Sequence, residues 1–465
     1  MKLLFTQDAL NNGGAERSHL EILSRFSAEV DSSFVYFYPR HDLKAAYNKA
    51  GIRLIFLDIP ESYHFWLAVS RLVKLIRSEK PDLLISCLWR ADIITRIASV
   101  ITGVPLIGTL VNDSYAPLAW TGKKGLKYKV VYWLDRLTSG IPMHWIANAR
   151  ALADSHSKTL GLDPKKISVV YRGREVPFIA SEARARQSQN PEESLSSPRF
   201  VSSQTKTTNK QELEPFHFLS YGRLLERKGF QDAIQAFSQV IQTYPNCTLT
   251  IYGEGPYRAE LESLISKLAL EDKAKLPGEF SNSTSLRAEG RGEAISSGET
   301  GIEKKESESP LPGNFTSDST IGHSYKDLSK SNRIAASSLG TPRNNATNLL
   351  LEHDCFLFPS LYEGFSGALL EAMMAGVPII ASDIPMNLEA VIHQETALIY
   401  PVSKPKALAE QMCFAMNNSE IMVKLGEKAR KVAIEKFAVD KIAREYEARI
   451  YTIYNSVIQH RTTKR

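Results

Sequence analysis

Pro359-Ser360-Leu361-Tyr362-Glu363-Gly364-Phe365-Ser366-Gly367-Ala368-Leu369-Leu370-Glu371-Ala372-Met373 is the stretch on which the fold turns. The apolar run Cys355 to Phe358 before it reads as a buried strand, and Gly367 to Ala375 reads as a helix. Strand, tight loop, helix is the unit of open α/β sheets, whose strand-end loops bind ligands. Gly364 and Gly367 allow a sharp turn, which frees the amides of Phe365, Ser366 and Gly367 to point at an anion. Glu363 precedes the helix and Glu371 lies in its early turns, so both carboxylates can face one pocket. Carboxylates there suit sugar and ribose hydroxyls as hydrogen-bond acceptors. Taken alone, Glu371 would serve as well to complement the helix dipole; the segment as a whole points to a ligand.

Upstream, Gly222-Arg223-Leu224-Leu225-Glu226-Arg227-Lys228-Gly229-Phe230 is a second strand end leading into a helix. Arg223 offers a planar fork and Lys228 a mobile point charge, a pair suited to a diphosphate. In isolation two such cations can also be a solvated surface, the lesser of the two readings. Near the start, Asn11-Asn12-Gly13-Gly14-Ala15-Glu16-Arg17 follows the first strand. Its Gly-Gly turn at a helix N-terminus can approach a phosphate closely. It lacks G-x-G-x-x-G spacing, which argues against a dinucleotide cofactor.

The same alternation runs through most of the chain. Leu3 to Phe5, Phe34 to Tyr38, Leu54 to Leu57, Leu83 to Ser86, Leu106 to Leu110, Trp145 to Ala147 and Ile167 to Tyr171 read as strands. Glu16 to Phe26, Trp66 to Ile76 and Ala149 to Leu160 read as helices. After a polar tract the rhythm resumes at Phe216, with Phe230, Ile234, Phe237 and Ile241 at helical spacing. A second tract, from about 281 to 343, is rich in Ser, Gly, Glu, Lys, Thr and Asn. It cannot bury enough apolar surface to offset ordering entropy, which predicts disorder. Ile442 to Ile458 reads as a long amphipathic helix. The expected architecture is α/β, two facing Rossmann-like domains with a C-terminal helix. The N-terminal acceptor-side domain spans 1–178 and a polar linker 179–215. The donor domain spans 216–434, with 281–343 as its insertion, and the last helix 435–465.

A chain of 465 residues is too long for one core. Its net charge of +6 is too modest to indicate a nucleic-acid partner and fits phosphorylated ligands or an anionic membrane surface. Cys87, Cys247, Cys355 and Cys413 are widely spaced, three of them inside apolar runs, which argues for reduced core residues over a zinc site or disulfides. The start, Met1 to Asp8, turns polar too soon for a signal peptide, and no apolar run approaches the roughly 20 residues of a membrane span. The expectation is a cytoplasmic protein.

The three segments together resemble glycosyltransferase family 4, retaining enzymes of the GT-B fold. Glu363 to Glu371 looks like that family's E-x7-E motif and Gly222 to Gly229 like its G-R-L-x-x-x-K-G segment. Asn12 to Arg17 matches the G-G-A-E-R start of many polysaccharide-building members. The resemblance spans residues 1 to about 178 and 216 to 465. It implies a hexosyl transfer in which Arg223 and Lys228 hold the donor's pyrophosphate and stabilise the leaving group. Glu371 would bind the ribose, and Glu363 with the amides of Phe365 and Ser366 the donor sugar. Gly13 and Gly14 would line the interdomain cleft. No D-x-D triplet occurs, in keeping with the family's use of cations in place of a metal, so the nucleotide sugar is a substrate and no cofactor is expected. Two departures stand out. Asn112-Asp113 replaces a His-Asp pair common in relatives, and Tyr171-Arg172-Gly173-Arg174 stands where they have an Asn-Gly turn.

Trp120, Lys123, Lys124, Lys127, Lys129, Tyr132 and Trp133 mix basic and aromatic residues, which suits a peripheral membrane site and a glycan or lipid-linked acceptor. The alternative is a helix packing Val130, Val131 and Leu134 against the core. His144, before an apolar strand, reads as structural. Rival functions are an epimerase or phosphorylase of the same fold, or a catalytically silent nucleotide-sugar-binding partner subunit.

Overall fold

Runs such as Leu3-Leu4-Phe5 and Leu83-Leu84-Ile85 are buried along their whole length, with no alternation of faces. That pattern belongs to parallel strands covered by helices on both sides. A computed structural model describes residues 1–61, 64–120, 125–177, 179, 215–279 and 342–462. Nearly all of both polar tracts, Lys123 and Lys124 lie outside the described residues, as do the side chains of Trp120 and Lys127. The described residues within Met1–Phe280 and Asn344–Arg465 form one compact unit.

That unit holds two parallel sheets. The first takes the strands β1 (Lys2–Gln7), β2 (Asp31–Tyr36), β3 (Arg53–Phe56), β4 (Leu83–Cys87), β5 (Leu106–Leu110), β6 (His144–Ala147) and β7 (Ile167–Val169). Their order is β3-β2-β1-β4-β5-β6-β7. The second takes β8 (Phe216–Tyr221), β9 (Cys247–Tyr252), β10 (Ala274–Lys275), β11 (Cys355–Phe358), β12 (Ile379–Ser382) and β13 (Leu398–Tyr400), in the order β10-β9-β8-β11-β12-β13. All thirteen are parallel to their neighbours. Each sheet reverses its winding once, between β1 and β4 and between β8 and β11. Such switch points open a crevice at the strand ends.

The first sheet carries α1 (Gly14–Leu23), α2 (Lys44–Lys49), α3 (Phe65–Glu79), α4 (Trp89–Thr102), the short α5 (Pro117–Trp120), α6 (Leu126–Thr138) and α7 (Arg150–Leu160). The second carries α8 (Phe230–Thr243), α9 (Arg258–Lys267), α10 (Pro342–Leu351), α11 (Gly367–Ala375), α12 (Pro385–Ala390), α13 (Pro405–Asn417) and α14 (Ser419–Phe437). Phe230, Phe237 and Val240 of α8 pack with Leu408 and Met412 of α13 in the core of that sheet.

The last helix, α15 (Val439–Thr462), starts after a break at Ala438; the expected start at 435 falls inside α14. Its stripe Ile442, Tyr446, Ile450 and Ile453 repeats at helical spacing and packs against Leu3, Phe5, Ile22 and Phe34, so the chain returns to its own N-terminal domain. Phe26 stacks on Tyr446 at 6.4 Å and Arg25 Nε donates to Asp440 Oδ1 at 2.8 Å. Cys87, Cys247 and Cys355 are buried in β4, β9 and β11, Cys413 is half-buried, and all four thiols are free.

Candidate active site

The strands flanking the switch point of the second sheet, β8 and β11, deliver the two segments singled out by sequence. Beyond β8 the chain passes Gly222 and Arg223 and makes a single 3-10 turn, Glu226–Lys228, before α8. Beyond β11 it passes Pro359 to Ser366 and opens α11 with Ser366 as N-cap. Lys228 Nζ and Glu363 Oε1 form an ion pair. Arg227 Nη1 lies 3.0 Å from Glu363 Oε2, and Ser360 Oγ donates to Oε1 at 3.2 Å. Burial works to raise the Glu363 carboxyl, but the charges and hydrogen bonds of Lys228 and Arg227 outweigh it and hold it down at about 2. Lys228 and Glu363 therefore form one unit in the ligand-free protein. Arg223 is exposed and makes no hydrogen bond or ion pair among the described residues.

Glu371 in α11 accepts from Arg174 Nε at 2.9 Å on one oxygen and from Tyr221 Oη at 3.0 Å on the other. Arg174 Nη1 also lies 3.4 Å from Glu21 Oε2 of α1, so its guanidinium joins the two domains. Two glycines make the close approach possible. A Cβ on Gly367 would stand 1.7 Å from Arg174 Nη2, and one on Gly364 would stand 2.0 Å from the carbonyl oxygen of Val111 beyond β5. Phe365 is a packing residue, buried against Tyr171 at 5.0 Å and Phe437 at 5.2 Å.

The N-terminal side faces this constellation. Gly13 is the N-cap of α1 and Gly14 its exposed first residue. Burial and the charge of Asp8 push the Glu16 carboxyl of α1 up to about 7, while burial and Arg172 pull His19 down to about 4. A cavity of about 270 Å³ opens at the ends of β1, β4 and β5, lined among others by Asp8, Leu88, Trp89, Asp92, Asn112 and Tyr115. Burial pushes Asp8 up to about 6, against its hydrogen bond from the Ala91 amide. Burial likewise pushes Asp92 up to about 7, against the charge of Arg96. The Nε1 of Trp89 and the Oδ1 of Asp92 are buried without a hydrogen-bond partner. Asn112 borders both regions: its Cα would lie 3.5 Å from a Cβ on Gly364.

The structure thus brings Gly222, Lys228, Glu363, Ser366, Gly367 and Glu371 together on the second sheet. Sequence reasoning missed Arg227 and Tyr221, which hold the two glutamates, and it noted Arg174 only as a departure. Arg227 stood in view, one position before Lys228; Arg174 gave no local signal. His144 hydrogen-bonds Ser168 at 2.8 Å between β6 and β7, a structural place. Of the two readings of this stretch, the helix packing Val130, Val131 and Leu134 against the core does not hold for Val130 and Leu134, which are 56 % and 37 % exposed: α6 turns Asp135 inward to Arg96, and the Ser139 carbonyl just past it accepts from Trp145 Nε1.

Two parallel sheets with strand-end loops converging between them have the architecture of the GT-B class. Residues 12–176 match the Glycosyltransferase Family 4 model, and residues 203–288 and 330–432 match that of Glycosyl transferases group 1. The chain belongs to glycosyltransferase family 4. It is 32 % identical to N-acetyl-alpha-D-glucosaminyl L-malate synthase of Bacillus anthracis over 117 residues, 25 % of this chain and 30 % of that protein. It is 22 % identical to an uncharacterized glycosyltransferase of Methanocaldococcus jannaschii over 399 residues, 83 % of this chain and 76 % of that one. The structure of Anabaena HepE in complex with UDP and glucose superposes with a TM-score of 0.67 at 17 % identity, covering 97 % of this chain and 99 % of that one. The match spans less than a third of the first relative and about three quarters of the second.

Proposed function

We propose that the chain transfers one sugar from a nucleoside diphosphate sugar to an acceptor hydroxyl, with retention, in polysaccharide or glycolipid synthesis. The observation that carries this is the Lys228–Glu363 unit at the switch point of the second sheet, one residue from the contact between Gly364 and Val111. The anomeric bond to the diphosphate breaks, a bond to the acceptor oxygen forms, and the acceptor's proton passes to the departing diphosphate. Arg223 and Lys228 hold the diphosphate and balance the charge that grows on it, with no metal required. Lys228 would exchange Glu363 for phosphate when donor binds, and Arg227 would keep Glu363 paired. Glu363, with the amides of Phe365 and Ser366, holds the sugar; Glu371 holds the ribose; Gly13 and Gly14 line the diphosphate. The acceptor enters the cavity beside Asn112, whose buried acceptor and donor atoms on Asp92 and Trp89 suit a hydroxyl-rich molecule.

Acceptor-dependent release of nucleoside diphosphate tests the transfer, with UDP-sugars tried first because the Anabaena neighbour holds UDP. Product of the donor's own anomeric configuration is expected. Binding without turnover for every donor and acceptor would favour a silent partner subunit, and release independent of acceptor would overturn the transfer. Chelation with EDTA is expected to leave the rate unchanged.

Membrane docking belongs to the same proposal. Leu126, Val130, Trp133 and Leu137 of α6 are 77, 56, 54 and 76 % exposed, and Lys129 is exposed beside them. Among the described residues no helix is long and apolar enough to cross a membrane, so contact would be interfacial. Salt-sensitive binding to anionic liposomes is expected, weakened by Trp133→Asp with Leu137→Asp. Liposomes that capture none of the parent protein at low salt would end the membrane part alone.

A further inference from the structure

Arg172, just beyond β7, is 8 % exposed, and its Nε has no hydrogen-bond partner. The side chain makes no hydrogen bond or ion pair among the described residues. A buried guanidinium left this way is costly, since burial weakens its hydration and no carboxylate is in direct contact to replace it. Of the carboxylates whose charges reach it, Glu363 and Glu371 are already committed to Lys228 and Arg227 and to Arg174 and Tyr221, and Glu16 is pushed up to about 7 by burial and so is only partly ionised at neutral pH. Burial, with Arg174 beside it, lowers Arg172 only to about 10, so it stays charged at neutral pH. Its Nη1 lies 3.3 Å from where a Cβ on Gly14 would stand. The guanidinium therefore borders the first residue of a ten-residue helix, where backbone amides and the helix dipole also favour an anion.

We propose that Arg172 is a phosphate-binding residue of the N-terminal domain, which closes on the terminal phosphate of the donor's diphosphate from the side opposite Arg223 and Lys228. This rests on the proposed function. The planar fork can take two phosphate oxygens at once, and Gly14 leaves room for them. The cleft then grips the diphosphate from both domains, and the unpaired charge is the state the ligand repairs.

Thermal melting and calorimetry of the full chain test it, with UDP, GDP and ADP set beside their monophosphates. Wild type should prefer the diphosphate of its nucleotide. Arg172→Gln should melt no lower than wild type without ligand, because the side chain has no protein partner to lose. It should bind the diphosphate about tenfold or more weakly and the monophosphate almost unchanged, removing most of that preference. Arg172→Lys keeps the charge without the fork and should fall between the two, including where the glutamine variant folds poorly. A diphosphate preference equal to wild type in both variants would overturn the inference and mark Arg172 as structural. Wild type that binds no nucleoside diphosphate would overturn the proposed function and take this inference with it.

Discussion

Arg174 Nε donates a 2.9 Å hydrogen bond to Glu371 Oε1, and so ties the end of the N-terminal sheet to the helix that follows the loop beyond β11. Glu363, eight positions earlier, is held instead by Lys228 and Arg227 of its own domain. The two acids, one in the loop and one in the helix after it, thus answer to different partners, and their conservative variants should behave differently. Glu371→Gln should weaken bare nucleoside diphosphate and intact donor alike, by about tenfold each, since both carry the ribose. Glu363→Gln should spare the bare nucleotide and weaken the sugar donor. Calorimetry with both ligands reads the two patterns, and identical patterns would refute the division of roles.

Acid should expose the Glu363 unit. Its carboxyl sits at about 2, against an ordinary value of 4.5. A carboxyl lowered by folding adds stability that is complete above its unfolded value and is lost as pH falls through the folded one. The stability lead of wild type over Glu363→Gln should therefore be largest at neutral pH, on the order of 3 kcal/mol, and close as pH drops from 4.5 towards 2. Urea unfolding of both proteins across that range checks it; a lead that grows in acid would contradict the pairing.

The match to the second family model stops at residue 288 and resumes at 330. The described residues on either side of that stretch pack into the cores of both sheets. Replacing 289–329 with a short Gly/Ser linker should leave melting temperature and nucleotide binding as they are. Loss of cooperative unfolding in the shortened protein would show that the stretch supports a core.

The alternation of buried strands and amphipathic helices was readable because burial on both faces leaves unbroken apolar runs, and the two strand-end loops of the second sheet because their glycines and charges are local. Lys228 and Glu363 each sit beside a glycine in a strand-end turn. What sequence hid was pairing over distance. Arg174 and Glu371 are 197 positions apart, and Tyr221 and Glu371 are 150 apart. The return of α15 to the first sheet was hidden likewise, since an amphipathic stripe tells that a helix packs and not on what. The apolar face of α6 could be read either way from sequence because what packs inward is polar: Asp135 pairs with Arg96, and the Ser139 carbonyl accepts from Trp145.

Arg223 offers the most direct test of the transfer proposed for this cleft. It is exposed and has no partner among the described residues, so its loss should leave the fold intact. If it stabilises charge that grows on the departing diphosphate, Arg223→Ala should melt like wild type. Its kcat with the nucleotide sugar should fall by about a hundredfold or more. Steady-state kinetics of that variant beside a melting curve is the measurement. A normally folded Arg223→Ala protein with full turnover would contradict the assignment of this cleft as the site of sugar transfer.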